Sequence, residues 1–593
     1  MIDLYGFYTG KILNAYEWMG AHVLPGGTKF TTFAPNARGV VLLWNGQEIP
    51  MNKAHDGNFY DVYVEGAREG DCYEYRIYGQ NGSVTDHCDP YGFGMQLRPD
   101  HKSVIRNLDD YQFQDEVWMR NRNDRKGEPL NIYELHLGSW RRKVGEEYEW
   151  YRYDELADPL ITYVKEAGYN YVEFLPLSEH PCDESWGYQN TGFFSPTSRY
   201  GTLKELKILI DRLHQNGIGV ILDFVPVHFA IDDYSLAKYD GSCLYEYPSN
   251  DVGVSEWGSH NFMHSRGEVR SFLQSSANYW LKEFHFDGLR MDAISRIIYW
   301  QGDERRGVNG NAVEFIRFMN QELKRLNPGC ILAAEDSTNF PNVTKPVMEG
   351  GLGFDYKWDM GWMHDTLEYF QSSPQQRKEK YHKLTFSMHY FRNENFLLPL
   401  SHDEVVHGKA TILQKMNGDY DVKFPQARAM YLYMMVHPGK KLNFMGNEIG
   451  QFREWDEKRE QDWELLKYPL HDAFYRYMKE LNHIYLDHTA LSEADYQEDG
   501  FQWLDCHQEE RCIYTILRQD KKEKLVAVFN FGDQEQEEYQ VQVPGGNEAQ
   551  VLLYSDWNRF GGTTLPEESV CTIKNEVFTC KVRPFSGMLI KVE

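Results

Sequence analysis

The sequence predicts an α/β protein whose long central segment alternates strands with helices between two all-β segments. Eight short apolar runs lie between residues 131 and 447, separated by stretches with apolar residues at helical spacing. Eight strands joined by crossover helices are typical of a (β/α)₈ TIM barrel. We therefore predict three domains: an N-terminal β-sandwich over residues 1–106, the barrel over 107–488, and a C-terminal antiparallel β domain over 489–593.

The two flanking domains are predicted from short alternating runs separated by turn residues such as Asn45-Gly46, which is the signature of antiparallel sheets. The runs before the barrel are 29–33, 40–44, 59–64 and 73–78. Those after it are 512–517, 525–530, 550–553 and 588–592. We see no catalytic cluster in the C-terminal runs, so this domain is expected to pack against the barrel, with glycan contact as the alternative role.

The barrel strands and helices can be read in order along the central segment. The predicted strands are 131–138, 170–177, 218–227, 287–293, 330–335, 354–358, 395–401 and 440–447. The predicted helices include 154–167, 203–216, 268–284, 311–326, 425–436 and a closing helix at 471–485. Chemistry in such barrels takes place at the C-terminal ends of the strands, so polar residues at those ends are the main candidates for functional residues.

The overall charge restricts the class of partner. The formal net charge is -27, so no basic surface would offset nucleic-acid phosphates, and a neutral or cationic ligand is favoured. Aromatic residues make up 15% of the chain, which suits stacking on sugars as well as ordinary core packing. Nucleic acid and membrane partners are therefore not expected, and the protein is expected to be a monomer or a weak homo-oligomer.

The cysteines and the N-terminus indicate a cytoplasmic protein. The nine cysteines are scattered without a Cys-x-x-Cys pair, so neither a disulfide framework nor a zinc site is predicted. Residues 1–5 do not begin a basic segment followed by an apolar run, and no window reaches the length of a membrane span. We expect a reducing, cytoplasmic compartment and no cofactor.

Charged side chains cluster at four predicted strand ends. On the fourth strand, Arg290 and Asp292 are two residues apart and so lie on one face. Taken alone, such a pair is most often a structural ion pair. The other strand ends add Asp223, His228, Glu335, His402 and Asp403. Acids crowded at one barrel mouth repel one another and are costly to desolvate, so we predict that the cluster is functional.

Two of these carboxylates have the features needed for retaining glycoside chemistry, in which one acid attacks the anomeric carbon and the other protonates the departing oxygen. Asp292 beside Arg290 is expected to stay ionised, as a nucleophile must. Glu335 follows the apolar run Ile331-Leu332-Ala333-Ala334. We expect that apolar environment to favour its protonated form, which suits a general acid.

In order along the chain, these four strand-end segments resemble the motif set of the α-amylase superfamily. Segments 33–37 and 89–92 resemble the glycan-binding type of β-sandwich module that precedes the barrel in starch- and glycogen-modifying enzymes. The resemblance implies that Asp292 is the nucleophile, Glu335 the general acid/base and Asp403 the third carboxylate. It also implies that the residues around the same glucose unit are Tyr188, Asp223, His228, Arg290 and His402. Segments such as 132–140, 187–201, 357–366, 401–409 and 444–452 are most similar to the 1,4-α-glucan branching enzymes of that superfamily.

Several features separate the alternatives within this resemblance. Many amylases have a calcium-binding asparagine where Val227 stands, and an apolar side chain cannot supply that oxygen, so no metal is expected. Trp257, Trp358, Trp362 and Trp455 are candidate aromatics for the donor or acceptor glucan, with core or loop packing as the alternative. The same catalytic residues also suit an α-glucan hydrolase, of amylase or debranching type. A catalytically silent glycan-binding barrel is the other class of protein, but this sequence keeps all three carboxylates.

Overall fold

The structure is a computed structural model that describes residues 2–122, 127–145 and 150–593. Two compact units divide the chain. The first contains residues 1–124, 136–161 and 173–355, and the second contains 125–135, 162–172 and 356–593. None of the helices in the described ranges combines the length and the apolar character needed to cross a membrane.

The N-terminal region folds as two antiparallel sheets, as the alternating runs predict. One sheet has the order β1-β2-β6-β5, and the other has the order β4-β3-β7-β8 with β9 paired to β7. Phe7, Phe33 and Phe59 pack together with ring centroids about 5 Å apart, and all three are buried. The strands are β1 (Gly20–Leu24), β2 (Gly27–Phe33), β3 (Ala37–Trp44), β4 (Gln47–Pro50), β5 (Asn52–Ala54), β6 (Phe59–Glu65), β7 (Cys72–Gly79), β8 (Val84–His87) and β9 (Ser103–Val104).

The central region contains a closed barrel of parallel strands in the order β10-β11-β14-β17-β18-β19-β20-β21. These strands are β10 (Asn131–Leu135), β11 (Tyr171–Phe174), β14 (Gly219–Phe224), β17 (Gly288–Met291), β18 (Ile331–Ala334), β19 (Tyr356–Trp358), β20 (Phe396–Leu400) and β21 (Lys440–Phe444). Each coincides with one of the eight predicted runs, which confirms the barrel. Two-stranded additions are β12 (Ser178–Glu179) with β13 (Gly192–Pro196) and β15 (His228–Phe229) with β16 (His260–Asn261).

The observed helices match the predicted helical stretches closely, with one shifted start. The helix predicted at 425–436 begins at Tyr420, so Pro425 lies inside it and forgoes only the backbone bond to the carbonyl of residue 421. The helices are α1 (Leu4–Thr9), α2 (Glu116–Asn121), α3 (Leu137–Trp140), α4 (Tyr153–Ala167), α5 (Leu203–Gln215), α6 (Asn250–Gly253), α7 (Gly267–Glu283), α8 (Ser295–Ile298), α9 (Gly310–Leu326), α10 (Met360–Gln371), α11 (Pro374–Glu379), α12 (Lys383–Tyr390), α13 (Ile412–Lys415), α14 (Tyr420–Val436) and α15 (Pro469–Asp487).

The C-terminal region is antiparallel, as predicted. Its larger sheet has the order β22-β23-β24-β29-β26 and the smaller has the order β25-β28-β27. The strands are β22 (Phe501–Gln508), β23 (Ile513–Gln519), β24 (Lys524–Asn530), β25 (Gln536–Gln542), β26 (Ala549–Tyr554), β27 (Cys571–Lys574), β28 (Val577–Val582) and β29 (Ser586–Val592). The domain boundaries after residues 106 and 488 stay predictions.

A buried ionic cluster includes Asp287, the residue immediately before β17, which is the strand that carries Arg290. His214 bonds to Asp115 through Nδ1 at 2.7 Å and to Asp287 through Nε2 at 2.9 Å. Burial opposes a charge on His214, but the two carboxylates outweigh it and raise the pKa of the imidazole. Trp118 donates its indole N–H to Asp287 at 2.8 Å. The cluster therefore ties α2 and α5 to the start of β17.

Candidate active site

Arg290 is the central cation of the candidate site. It lies in register with Asp223 on the neighbouring strand and is fully buried. Its Nη1 donates to both oxygens of Asp223 at 2.6 Å and to Asp292 Oδ1 at 3.1 Å, while Nη2 donates to Glu335 Oε2 at 2.6 Å. Burial acts to lower the pKa of the guanidinium, but attraction to Asp223 and Glu335 raises it well above its usual range. One permanently charged guanidinium therefore binds three carboxylates.

The two carboxylates that the sequence singles out, Asp292 and Glu335, follow directly after adjacent strands. The Asp292 backbone N–H donates to the carbonyl of Phe224 at 3.0 Å, and the Glu335 N–H donates to the carbonyl of Met291 at 3.1 Å, so both backbones continue the barrel pairing. Their side chains are 14% and 19% exposed. Both acids are thus held on rigid backbone with their carboxylates partly open to solvent.

The surroundings of Glu335 differ from the expectation. Its Oε2 accepts hydrogen bonds from Arg290 and, at 3.1 Å, from the backbone N–H of Ala293. Ala293 reaches it because its φ of 47° turns the chain sharply after Asp292. The recorded hydrogen-bond partners of this carboxylate are thus a guanidinium and a backbone N–H, whereas the expectation was an apolar environment supplied by the buried run 331–334. That this run favours the protonated form of Glu335 stays a prediction.

Tyr188 joins the same cluster through its hydroxyl, which donates to Asp223. Its ring lies 6.0 Å from the Arg290 guanidinium carbon. The hydroxyl bond and the nearby guanidinium therefore tie the ring to the buried ion pair. The family resemblance implies that Tyr188, Asp223 and Arg290 surround one sugar, and the structure brings these three residues together.

His228 lies beside the only one of the four candidate tryptophans that is exposed. The imidazole is 3% exposed, and its ring centroid is 5.4 Å from that of Trp257. Burial, aided by the positive charge of Arg296, lowers the pKa of His228 to about 4. His228 is therefore neutral at neutral pH.

Trp257 lies in the segment between β15 and β16 and is 46% exposed. The Arg296 guanidinium lies over its ring at 4.9 Å and also pairs with Glu256. Gln189 donates to the Trp257 carbonyl at 3.3 Å. These contacts fix the ring while leaving nearly half of the side chain accessible, which is the arrangement that a sugar-stacking surface requires.

In the second unit, His402 and Asp403 begin a single 3₁₀ turn, His402–Val405, directly after β20. His402 is buried, while the Asp403 side chain is 40% exposed. His402 Nδ1 lies 2.5 Å from Glu134 Oε1, and the His402 backbone N–H donates to Glu134 Oε2 at 3.0 Å. His402 Nε2 lies 3.5 Å from Asp403 Oδ1. A buried glutamate of β10 thus holds the histidine that precedes the third carboxylate.

The segment after this turn is held by charged side chains. Lys409 donates to the Asp403 carbonyl at 2.7 Å, and Lys415 donates to the carbonyls of Glu404 and Ala410. Glu454 accepts the backbone N–H groups of Gly408 at 3.0 Å and Ala410 at 2.7 Å. These bonds compensate for left-handed φ values at residues 407, 408 and 410.

The other three candidate tryptophans are buried. Trp358 and Trp362 are each 1% exposed, and Trp362 packs against Tyr433 with ring centroids 6.4 Å apart. Trp455 is 6% exposed and lies edge-on to His402 at 6.1 Å. Their burial favours the packing alternative, and a sugar-stacking role for these three rings stays a prediction.

Four groups that contact candidate residues or the segments next to them were missed from the sequence: the Ala293 N–H and Arg296 in the first unit, and Glu134 and Glu454 in the second. Glu134 had a readable signal, because an acid inside the apolar strand Ile132-Tyr133-Glu134-Leu135 must be paired if it is buried. The sequence has no comparable signal for Arg296, Glu454 or Ala293, because their partners are distant in the sequence or the contact involves a backbone group. Among the described residues, no group of three or more His, Cys, Asp or Glu side chains is arranged to hold a metal ion.

Three family models match the chain. Residues 18–92 match carbohydrate-binding module 48, the isoamylase N-terminal domain. Residues 159–242 and 256–530 match the α-amylase catalytic domain, and residues 503–593 match the α-amylase C-terminal all-β domain.

Similar proteins are found among curated relatives and among solved structures. A 1,4-α-glucan branching enzyme of Bacillus caldolyticus is 44% identical, with 95% of this chain and 86% of the relative covered. A 1,4-α-glucan branching enzyme of Halothermothrix orenii is 43% identical, with 95% and 92% covered. The crystal structure of an apo pullulanase from Paenibacillus barengoltzii has a TM-score of 0.73 at 16% identity, covering 100% of this chain and 98% of that one. The last likeness bears on the fold alone.

Proposed function

Since the chain belongs to the α-amylase family and, within it, to the 1,4-α-glucan branching enzymes, we propose that Asp292, Glu335 and Asp403 carry out the branching reaction. A branching enzyme transfers part of an α-1,4-linked glucan to a 6-hydroxyl and so forms an α-1,6 branch. The observation that carries the assignment is the guanidinium of Arg290, which binds Asp292 and Glu335 through its two terminal nitrogens. Binding to one fixed cation keeps the two carboxylates at a fixed separation, as a pair that flanks one glycosidic bond requires.

In the first half of the reaction, a carboxylate oxygen of Asp292 attacks the anomeric carbon of the donor glucan. The bond to the 4-oxygen breaks as Glu335 gives that oxygen its proton, and a glucan chain is left esterified to Asp292. Glu335 is suited to this because Arg290 and the Ala293 N–H bind only Oε2 among the recorded contacts. Its other oxygen is the one we assign to the proton transfer.

In the second half, the 6-hydroxyl of an acceptor glucan attacks the same anomeric carbon. Glu335, now a carboxylate, takes the hydroxyl proton, the ester bond to Asp292 breaks, and an α-1,6 linkage forms. Two inversions retain the α configuration. If water takes the place of the acceptor, the same steps give hydrolysis, so the product depends on acceptor binding rather than on the acids.

Asp403 is proposed as the third carboxylate, which binds sugar hydroxyls and stabilises the positive charge of the transition state. Its exposed side chain and the bonds that fix its backbone and its neighbour His402 support this role. Trp257 is proposed as a stacking surface for the glucan. A cytoplasmic location and a monomeric or weakly oligomeric state stay predictions.

The assignment is tested by Asp292→Asn and Glu335→Gln, each of which removes a charge with little change of shape. We expect both variants to lose branching by at least about 10³-fold while they keep their thermal unfolding transition. Asp240→Asn is a matched control, because Asp240 is a buried carboxylate in the same unit that bonds Asn36 and Ser242. Wild-type turnover in either site variant contradicts the assignment.

The products separate transfer from hydrolysis. Incubation with amylose followed by a debranching enzyme is expected to raise the number of reducing ends only after debranching. A strong rise before debranching, with no further rise after it, would instead indicate a hydrolase. Trapping with a fluorinated maltosyl fluoride, which slows breakdown of the intermediate, is expected to label Asp292 in a peptide mass map.

A further inference from the structure

We propose that Glu134 is a positioning residue for the branching reaction, which acts by fixing both the orientation and the proton position of His402. The proposal rests on the proposed function, because it assigns Glu134 its effect through His402 and Asp403. Glu134 does not touch the reacting atoms in this role. It is the fourth of the five residues of β10, all of which are buried.

The contact between the two residues uses both oxygens of the carboxylate. Oε1 is 2.5 Å from the imidazole Nδ1, and Oε2 accepts the backbone N–H of His402 at 3.0 Å. Because a carboxylate only accepts hydrogen bonds, the proton of this contact resides on Nδ1. The bond to Nδ1 therefore fixes the ring and the position of its proton, and the bond to the backbone N–H fixes the main chain that carries the ring.

Aromatic rings support His402 on other sides. The ring of Phe444 is 6.0 Å away at an angle of 61°, and that of Trp455 is 6.1 Å away at 80°. Phe444 and Trp455 are both buried. Rotation of the imidazole would break its bond to Glu134. The remaining nitrogen, Nε2, is the one on the side of Asp403, 3.5 Å from Oδ1.

Packing and stability alone do not explain a glutamate at position 134. The side chain is fully buried, and taking a carboxylate out of water costs several kcal/mol, so an apolar residue would fill this place in the strand more favourably. The arrangement is typical of histidines that must present one chosen nitrogen to a ligand while a carboxylate holds the other.

The chemical consequence is a defined hydrogen-bonding state at Nε2. With the proton of neutral His402 on Nδ1, Nε2 accepts a hydrogen bond from a sugar hydroxyl. If the ring gains a second proton, Glu134 balances its charge and Nε2 becomes a donor to Asp403. The charged groups recorded around this turn are Glu134, Asp403, Glu404, Lys409 and Lys415.

Glu134→Gln tests the proposal because it should move the proton of the His402 imidazole from Nδ1 to Nε2. The amide oxygen must accept the fixed backbone N–H of His402, which leaves the amide NH₂ facing Nδ1. The ring proton then moves to Nε2. By comparison with carboxylates that orient metal-binding histidines, we expect kcat for branching to fall about 10- to 100-fold. We expect KM to change less than threefold.

Two further variants separate positioning from folding. Glu134→Asp keeps the charge but shortens the side chain, and is expected to recover part of the lost kcat. Glu448→Gln is the matched control, because Glu448 is a buried carboxylate of the same unit that bonds Tyr133 at 2.8 Å and Tyr163 at 2.5 Å. It is expected to lower stability without changing the proton position on His402.

A double-mutant cycle with His402→Ala gives the decisive kinetic result. If Glu134 acts through His402, the double variant Glu134→Gln/His402→Ala is expected to have the kcat of His402→Ala alone. If the kcat losses of the two single variants multiply in the double variant, the proposal is overturned. Wild-type kcat in Glu134→Gln would also overturn it. If His402→Ala itself keeps wild-type kcat, the role of His402 in the proposed function fails instead, and the two failures are distinguished.

The spectroscopic readout is the ¹⁵N shift of the two ring nitrogens in enzyme labelled at histidine. The His402 signal is identified by its absence in His402→Ala. We expect a protonated-type Nδ1 and an unprotonated-type Nε2 in the wild type, and the reverse in Glu134→Gln. An unprotonated Nδ1 in the wild-type neutral ring contradicts the proposal whatever the kinetics are.

Discussion

Arg290 Nη2 donates to Glu335 Oε2 at 2.6 Å, so the proposed general acid is bound to a buried guanidinium and not to apolar side chains. The same guanidinium reaches Asp292 and Asp223. Its planar shape with several N–H groups allows it to hold all three acids at once. The separation of the proposed nucleophile and acid therefore depends on Arg290.

Arg290→Lys is expected to reduce kcat/KM by about 10²- to 10³-fold. A lysine keeps the positive charge, but its compact ammonium cannot bridge three carboxylates in these directions. The initial rate of branching measures the effect, and circular dichroism checks the fold. Arg76→Lys is the control, since Arg76 pairs with Glu48 and Asp86 at the surface of the N-terminal domain. Activity of Arg290→Lys within threefold of wild type would contradict the bridging role.

Trp257→Ala is expected to raise KM for long glucans about tenfold with little change in kcat. Loss of the apolar face that a sugar covers costs about 1.5 kcal/mol, which is about a tenfold change in affinity. Trp257→Phe should retain much of the affinity, because a smaller ring can still stack. Met348→Ala is a control, since Met348 is an exposed apolar side chain of the same unit. An unchanged KM in Trp257→Ala would exclude Trp257 from glucan binding.

The cluster of His214, Asp115 and Asp287 predicts a pH window of greatest stability. The pKa of His214 is raised on folding, so its contribution is complete below its ordinary value of about 6.5 and is lost as the pH rises through the folded pKa. His214 and His285, both within 3.0 Å, lower the pKa of Asp115 against the effect of burial, and His214 and Arg122 do the same for Asp287. The contribution of the acids is complete above about 3.9 and is lost on further acidification.

His214→Gln is therefore expected to be most destabilising between about pH 4 and 6.5, by about 3–5 kcal/mol, because it leaves two buried carboxylates without their shared cation. Denaturant unfolding at several pH values measures the difference from wild type. The difference is expected to shrink above the folded pKa of His214. A stability difference that grows from pH 6 to pH 9 would contradict the predicted direction of this pH dependence.

Glu454→Ala is expected to loosen the segment that follows Asp403. The carboxylate binds the N–H groups of Gly408 and Ala410, and their backbone bonds lower its pKa. Without it, amide hydrogen exchange over residues 406–411 is expected to speed up by at least about tenfold. Glu464→Ala is a control, because Glu464 is an exposed acid that pairs with Lys467 on the same short turn. Unchanged exchange at residues 408 and 410 would rule out the restraint.

The fold was readable from the sequence because its signals are local. Each barrel strand is a short buried run bounded by polar residues, and helices such as α5 and α9 have apolar residues on one face. Strand lengths were overestimated, as at 218–227 against Gly219–Phe224, because the apolar run continues past the last paired residue. Apolar residues there are buried by other contacts.

Part of the candidate site was also readable from the sequence. The spacing of Arg290 and Asp292 predicted that they share a face, and they are bonded at 3.1 Å. The surroundings of Glu335 were not readable, because its partner Arg290 is 45 residues away and the Ala293 N–H is a backbone group. The four tryptophans looked alike in the sequence, but only Trp257 is exposed.

The sequence by itself determined the barrel, the two flanking β domains and the acids at the strand ends, because periodicity and residue type are properties of neighbouring positions. The tertiary structure alone decided which groups each acid contacts. Glu134 shows the reason: it is 268 residues from His402, and only the packing of β10 in its unit brings its carboxylate to the imidazole. Long-range contacts set the environment of a charged group, and no local pattern encodes them.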